Sequence, residues 1–410
     1  MINVLTINWT NKEGSTVEII RCIEDELRDK CRFIHCFQVG EKKQESDFKV
    51  TSWNITRGYY LLARLTGIKY GQGNIPTKKL IRYIEKNAPD VIHFHCPNFY
   101  NLNLYMLLEY LKKSEIPTVI TNHAEFFYTG NCAYAFDCSG YLSGCKKCDR
   151  QFDSIHPYLF NRTAYEWKKM KKVFEGANTF IMTVVSGWQK ERIEKSPITQ
   201  NIPVVLIENG VDTEVFKYKP CESNSIREDF KHVVTHVTSD FNLRTDSIKG
   251  GCYLIKLAEQ MPDTLFLVLG PYYKTEKDII PNNVRIIGHV DKEKLSEYYN
   301  ISDVTVLTSK RETFGMACAE SMCCGTPVAA FKAGGTESIA IKEWSRFAEF
   351  GDVSGLKKCV EELLDLKETK SSEISEDAIK KYSVHSMVNS FYKLYMEMVE
   401  KTGKKENLQM

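Results

Sequence analysis

Two glutamates in the carboxyl half of this 410-residue chain, Glu312 and Glu320, have seven residues between them. A carboxylate can accept two hydrogen bonds from a vicinal diol, such as a ribose or a sugar ring. The plainer alternative is a solvated Glu312 and a Glu320 in an ordinary salt bridge. His123 follows the apolar run Thr118–Thr121 at once, so it stands at the carboxyl end of a strand, where cleft residues collect. His93 and His95, two apart, face one side of another strand. With no third ligand nearby they read as cleft-lining or packed histidines. Cys132, Cys138, Cys145 and Cys148 are spaced C-x5-C-x6-C-x2-C, which suits a tetrahedral structural zinc in a loop spanning 131–149. Such a metal would stiffen the loop and leave no open position for chemistry. Four free cysteines in a packed loop are the alternative.

The elements that would position these residues alternate between strand and helix. Val304–Leu307 reads as a buried strand and Met316–Cys324 as a helix closed by Gly325. Val328–Phe331 is the next strand, and Gly334-Gly335 turns into a further helix. A strand–loop–helix–strand unit of this kind belongs to a parallel sheet, whose ligands bind at the carboxyl strand ends beside helix N-termini. Earlier strands are expected at 4–8, 33–39, 90–96, 118–121, 180–184 and 204–207, and a second series at 232–238, 265–269 and 284–287. Gly14 precedes a helix from Ser15, read as its N-cap. The polar segment 41–58 reads as loop, as does 217–230. The glycine-rich 66–73 lacks a helix-borne lysine, so it is a flexible surface loop rather than a phosphate loop. Residues 403–410 read as a disordered tail.

With 43% hydrophobic and 26% charged residues the chain can bury sizeable cores, and its length suggests two domains. A net charge of +2 gives no electrostatic case for nucleic acid. No apolar run is long enough to span a membrane, and the amino terminus starts directly as a strand without signal-peptide character. Fourteen cysteines without a secretion signal point to a reducing cytosol. The lysine-rich helix within 162–177 reads equally as a solvated face or as a peripheral contact with an anionic inner leaflet.

Glu312, Phe314-Gly315, Ala319-Glu320, Gly325-Thr326-Pro327-Val328 and Gly334-Gly335-x-x-Glu occur together and in order. This resembles the nucleotide-sugar site of family 4 glycosyltransferases of the GT-B fold. Asn209-Gly-Val-Asp212 and Phe216 are similar to that family's interdomain segment. The resemblance implies an α/β chain of two Rossmann-like domains with parallel sheets facing across a cleft. Their spans would be 1–202 for the acceptor and 203–385 for the donor, with a helix at 386–402 crossing back. It implies retaining transfer of a sugar from a nucleotide diphosphate sugar to a glycan or lipid-linked acceptor in surface polysaccharide (capsule) synthesis. Glu320 would hold the donor ribose. Glu312 would position the donor sugar with backbone near Phe314, Gly315 and Met316. Lys249 and Arg244 would neutralise the leaving diphosphate, as two cations beside a helix N-terminus can. His123 matches the family's Thr-x-His-Asp position near the transferred sugar, although Ala124 replaces the aspartate and Glu125 follows it. Gly14 matches a glycine loop bordering the cleft. No Asp-x-Asp pair stands where a catalytic divalent metal would sit, so no cofactor is expected for catalysis. A GT-B epimerase and a catalytically inactive zinc-stabilised scaffold are the competing readings.

Overall fold

Short runs of Val, Ile, Leu and Phe bounded by polar turns become buried parallel strands, because only a sheet covered on both faces can bury consecutive apolar residues. The computed structural model describes residues 1–96, 99–146, 148, 159–220, 226–227 and 229–401. The chain divides into two units: Met1–Ile207 together with the chain from Val388 on, and Glu208–Met387.

The first unit is built on β1 (Ile2–Ile7), β2 (Cys31–Phe37), β3 (Phe48–Lys49), β4 (Val91–Phe94), β5 (Thr118–Asn122), β6 (Phe180–Val184) and β7 (Val204–Leu206). The sheet order is β3-β2-β1-β4-β5-β6-β7, every pairing parallel. The second is built on β8 (His232–Val237), β9 (Thr264–Leu269), β10 (Val284–Gly288), β11 (Val304–Leu307), β12 (Val328–Phe331) and β13 (Ser345–Ala348). Its order is β10-β9-β8-β11-β12-β13, again parallel throughout. Val233, Leu265 and Leu267 pack on one face of that sheet, and Val234, Phe266 and Val268 on the other. The α/β class with two Rossmann-like units follows directly from these orders.

Two expected loops are corrected. Within 41–58, Phe48–Lys49 adds an edge strand, and a helix runs over Trp53–Thr66. That helix buries small residues, Thr56 and Ala63, and exposes Trp53, Ile55, Leu61, Leu62 and Leu65. It therefore lacks the inward apolar stripe by which helices are read from sequence. The stretch expected as a flexible surface loop is anchored: Tyr70 is fully buried, and the Lys69 and Tyr70 amides donate to Glu166 at 2.8 and 2.9 Å. Its anchor lies 96 residues further on and leaves no local trace. Most of the expected loop 217–230 is described, but 221–225, 228 and the tail 403–410 lie outside the described residues.

Candidate active site

In the second sheet β8 lies between β9 and β11. The chain order reverses there, and in open parallel sheets ligands bind at the carboxyl strand ends beside such a reversal. Lys249 comes from the loop after β8 and Glu312 from the loop after β11, and Nζ lies 2.7 Å from Oε1. Both side chains keep about a quarter of their surface open. The loops are sewn together: Lys310 N donates to the Ile248 carbonyl at 2.7 Å, and Thr308 Oγ1 to the Lys249 carbonyl at 2.9 Å. Gly250 caps the helix Gly251–Glu259 with φ +68°, and a Cβ there would run into the Thr308 carbonyl.

The turn after β12 joins the same edge. Glu312 N donates to the Ala333 carbonyl at 3.0 Å, and Gly335 N to the Glu312 carbonyl at 2.8 Å. Glu337 accepts from the Ala333 and Gly334 amides at 2.8 Å, which gives the glycine pair its shape. Phe314 is buried, with its ring edge-on to Tyr382. Gly315, at φ +98°, starts the helix Met316–Cys323, and a Cβ there would lie 2.7 Å from Thr336 Oγ1. Glu320 is half-buried on that helix and accepts from Tyr299 OH at 3.2 Å. Burial pushes its carboxyl up to about 7. Glu312, Lys249, Phe314, Gly315, Met316 and Glu320 thus belong to one connected edge. Arg244 bonds instead to Asp246, at 2.9 and 2.7 Å, and is largely exposed. It lines an open cavity of about 570 Å³ with Asp240, Asn242, Tyr273 and Asp278. An acidic partner two residues away in the same loop accounts for this placement.

The first sheet reverses between β1 and β4. Gly14 follows β1 with φ +118° and occupies the cap position of the helix Ser15–Leu27. Ser15 is the first helical residue, and no side chain caps this helix, which corrects the expectation. His95 follows β4 and His123 follows β5. His95 Nδ1 and His123 Nε2 are 3.1 Å apart, with the rings within 14° of parallel. Both line a small cavity of about 20 Å³ with Cys96, Thr121, Asn122 and Phe126. Burial lowers His123 to about 4, and burial with the neighbouring imidazoles lowers His95. His93 is a packed histidine: Nδ1 meets Tyr395 OH at 2.6 Å and Nε2 meets Thr121 Oγ1 at 2.7 Å. The link from His95 to His123 was not foreseen. Its only trace was that each closes a strand.

Glu125 does not stand in for the missing aspartate. Its carboxylate is buried, bonded to Arg192 Nε at 2.6 Å and Tyr128 OH at 2.9 Å, and it also accepts from the Ala135 amide. It therefore fastens the cysteine loop. Burial and neighbouring thiols push Cys132 and Cys145 up to about 12. Cys138 is exposed, and its Sγ accepts from Gly140 N at 3.3 Å. Among the described residues no group of three or more His, Cys, Asp or Glu side chains is gathered to hold a metal. The geometry therefore adds nothing to the spacing argument for zinc.

Two family models match: "Glycosyltransferase Family 4" over residues 34–215 and "Glycosyl transferases group 1" over 244–381. The chain is 26% identical over 274 residues to the putative colanic acid biosynthesis glycosyl transferase WcaC of Escherichia coli, covering 65% of this chain and 64% of that protein. It is 28% identical over 155 residues to a D-inositol 3-phosphate glycosyltransferase of Xylanimonas cellulosilytica, covering 34% of this chain and 37% of that one. The matches thus span less than two thirds of these relatives' lengths. Among solved structures, the sucrose-phosphate synthase of Thermosynechococcus elongatus superposes with a TM-score of 0.70 at 13% identity, covering 98% of this chain and 100% of that one. Anabaena HepE in complex with UDP and glucose gives 0.62 at 16% identity, covering 97% and 100%. By these two family models the chain belongs to the group 1 and family 4 glycosyltransferases, and its two parallel sheets have the GT-B fold of the solved structures it resembles.

Proposed function

We propose that this enzyme moves a sugar, with retention of anomeric configuration, from a nucleotide diphosphate sugar to a glycan or lipid-linked glycan in surface polysaccharide synthesis. The observation that carries this reading is the Lys249–Glu312 pair at the reversal point of the second sheet, with Glu312 in the loop that leads into the Glu320 helix. A lysine already held at the carboxyl strand ends can turn to an arriving diphosphate. The N-terminus of the helix Gly251–Glu259 adds positive potential beside it. Glu312, released from Lys249, accepts hydroxyls of the donor sugar, while Gly315 and Met316 bring backbone amides close. Glu320 accepts the ribose diol. His123 contacts the transferred sugar, and Gly14 leaves open space after β1. Arg244 takes a secondary part, since it must first leave Asp246. HepE was crystallised with UDP, which makes a uridine nucleotide the first donor to try.

The acceptor side supports contact with an anionic lipid surface. The helix Trp53–Thr66 carries Arg57 and Arg64 and no acidic residue, beneath an exposed apolar face. Its end at Gly67 lies against Phe160, where Leu159 and Phe160 are exposed, and the lysines of Thr163–Phe174 follow. The apolar part of the contact therefore comes from outside the 162–177 segment singled out by charge. Among the described residues no helix is long and apolar enough to cross a membrane.

The test is to incubate the purified enzyme with UDP-, GDP-, dTDP- and ADP-sugars and lipid extracts, and to follow nucleotide diphosphate and glycan together. Glycan formed in step with one nucleotide supports the reading. Nucleotide released without glycan in the presence of acceptor favours the epimerase. No turnover with any donor favours the inactive scaffold. Metal analysis addresses the cysteine loop: about one zinc per chain, lost in Cys138→Ser, supports a structural zinc, and a metal-free stable protein removes it.

A further inference from the structure

We propose that Tyr299 is a positioning residue that ties down one oxygen of Glu320 and leaves the other turned to the ribose of the donor. The ribose rests on the function proposed above, whereas the tie does not. Tyr299 lies on the helix Lys292–Ile301 and Glu320 on the helix Met316–Cys323. The Tyr299 hydroxyl donates to Glu320 Oε2 at 3.2 Å. Among the described residues no group bonds to Oε1, and that atom is not one of the buried orphans, so it faces solvent. A carboxylate has about four lone-pair sites, so one hydroxyl on Oε2 orients the group and leaves its outer edge for a diol.

The tyrosine that makes the tie is itself held at each end. Its side chain is fully buried, with the ring edge-on to Phe216 at 6.2 Å. Its carbonyl accepts from Thr326 Oγ1 at 2.6 Å, and Thr326 Oγ1 accepts from Lys367 Nζ at 2.6 Å. Ser321, next to Glu320, donates to the Thr326 carbonyl at 2.9 Å. Thr326 thus fastens both helices, which gives a part to the threonine of Gly325-Thr-Pro-Val.

Charge acts in the same direction. Burial raises Glu320 to about 7, and the Tyr299 hydroxyl, followed by Lys292, works against it. Cys323 and Cys324 face Glu320 from its own helix end, and burial raises both thiols. From the helix Leu366–Tyr382, Lys367 faces Cys324 and Lys381 faces Cys318. β11 and β12 beneath carry no ionisable side chain. A hydroxyl donor favours the ionised carboxylate, the form that accepts a diol.

The experiment is ¹³C NMR of the full-length enzyme labelled at glutamate Cδ and tyrosine Cζ, from about pH 5.5 to 9, for wild type, Tyr299→Phe and Glu320→Gln. Calorimetry with nucleoside diphosphates, UDP first, follows on the same samples. Tyr299→Phe removes the hydroxyl and keeps the ring. It should move the Glu320 midpoint up by about one unit, the scale of one lost hydrogen bond to a charged group. Nucleotide Kd at pH 7 should rise about five- to tenfold, and the gap should narrow to about twofold at pH 8.5, where both proteins are largely ionised. In transfer assays KM for donor should rise and kcat should stay within about twofold, as for lost uniform binding. An unchanged Glu320 midpoint in Tyr299→Phe overturns the proposal. So does a Kd gap of equal size at every pH, which marks a packing defect. Where Tyr299→Phe does not fold, the wild type decides: one tyrosine Cζ should titrate with Glu320 and cease to do so in Glu320→Gln, and its absence overturns the tie. A shifted midpoint with unchanged Kd would leave the tie standing and remove the ribose from Glu320.

Discussion

At the scale of single residues, the edge proposed to bind the donor carries two carboxylates in different states. Glu312 is paired to Lys249, and under the proposed function an arriving diphosphate sugar separates the two. Lys249→Ala and Glu312→Ala should each lower kcat by about 10²- to 10³-fold, as loss of one group that stabilises developing charge does. Steady-state kinetics with saturating donor checks this, and near-wild-type turnover in either variant removes the assignment. Glu320 is different, because burial raises it to about 7. A diol is held by the ionised form, so nucleotide affinity should fall as pH drops below about 7. The nucleotide's own phosphate also titrates near there, so Glu320→Gln is the control. Calorimetry from pH 6 to 8 should give a steeper pH dependence for the wild type than for Glu320→Gln, and equal slopes would show that Glu320 does not hold the ribose.

At the scale of elements, loops from distant parts of the chain are fastened by buried acids. Glu125 ties Arg192, Tyr128 and the Ala135 amide into one knot beneath the cysteine loop. Removing it leaves the Arg192 guanidinium without its carboxylate, and breaking a buried pair costs about 3–5 kcal/mol. Glu125→Ala should therefore shift the urea midpoint far to the left, and a change within about 0.5 kcal/mol would mean the knot is ornamental to stability. The helix Trp53–Thr66 is the opposite case, an element whose larger side chains point outward. Leu61→Asp with Leu65→Asp should abolish sedimentation with anionic vesicles and leave the melting temperature nearly unchanged, since both side chains are exposed. Sedimentation equal to wild type would place the lipid contact elsewhere.

At the scale of the whole molecule, stability against pH sums opposing groups. Burial lowers His93 to about 3, and His123 and His236 to about 4, and lowers His95 as well. Each stays neutral in the fold but protonates when unfolded below about 6.5, so its contribution is lost as pH falls from about 6.5 towards 4. Glu166 and Glu320 are raised to about 7, so their contribution is present below about 4.5 and lost as pH rises to 7. Four histidines outweigh two glutamates between pH 5 and 6.5. The melting temperature should therefore fall on going from pH 7 to pH 5. A rise would mean that the glutamates dominate.

The sequence by itself determined the strand–helix alternation and the family, and it singled out the residues that the proposed function places on the donor edge. Those signals are local: β-branched runs, Gly325-Thr-Pro-Val, and Glu312 and Glu320 within one strand–loop–helix unit. It did not reveal the helix Trp53–Thr66, whose inward residues are small, or the burial of Lys69 and Tyr70 under Glu166. Nor could it place Arg244 on Asp246 rather than beside Lys249. Only the tertiary structure brought Lys249 to Glu312, 63 residues apart, and His95 to His123, 28 apart. The physical reason is the same in both places. Adjacent parallel strands bring the ends of separate chain segments within hydrogen-bonding distance, and which strands are adjacent is decided by how the sheet assembles.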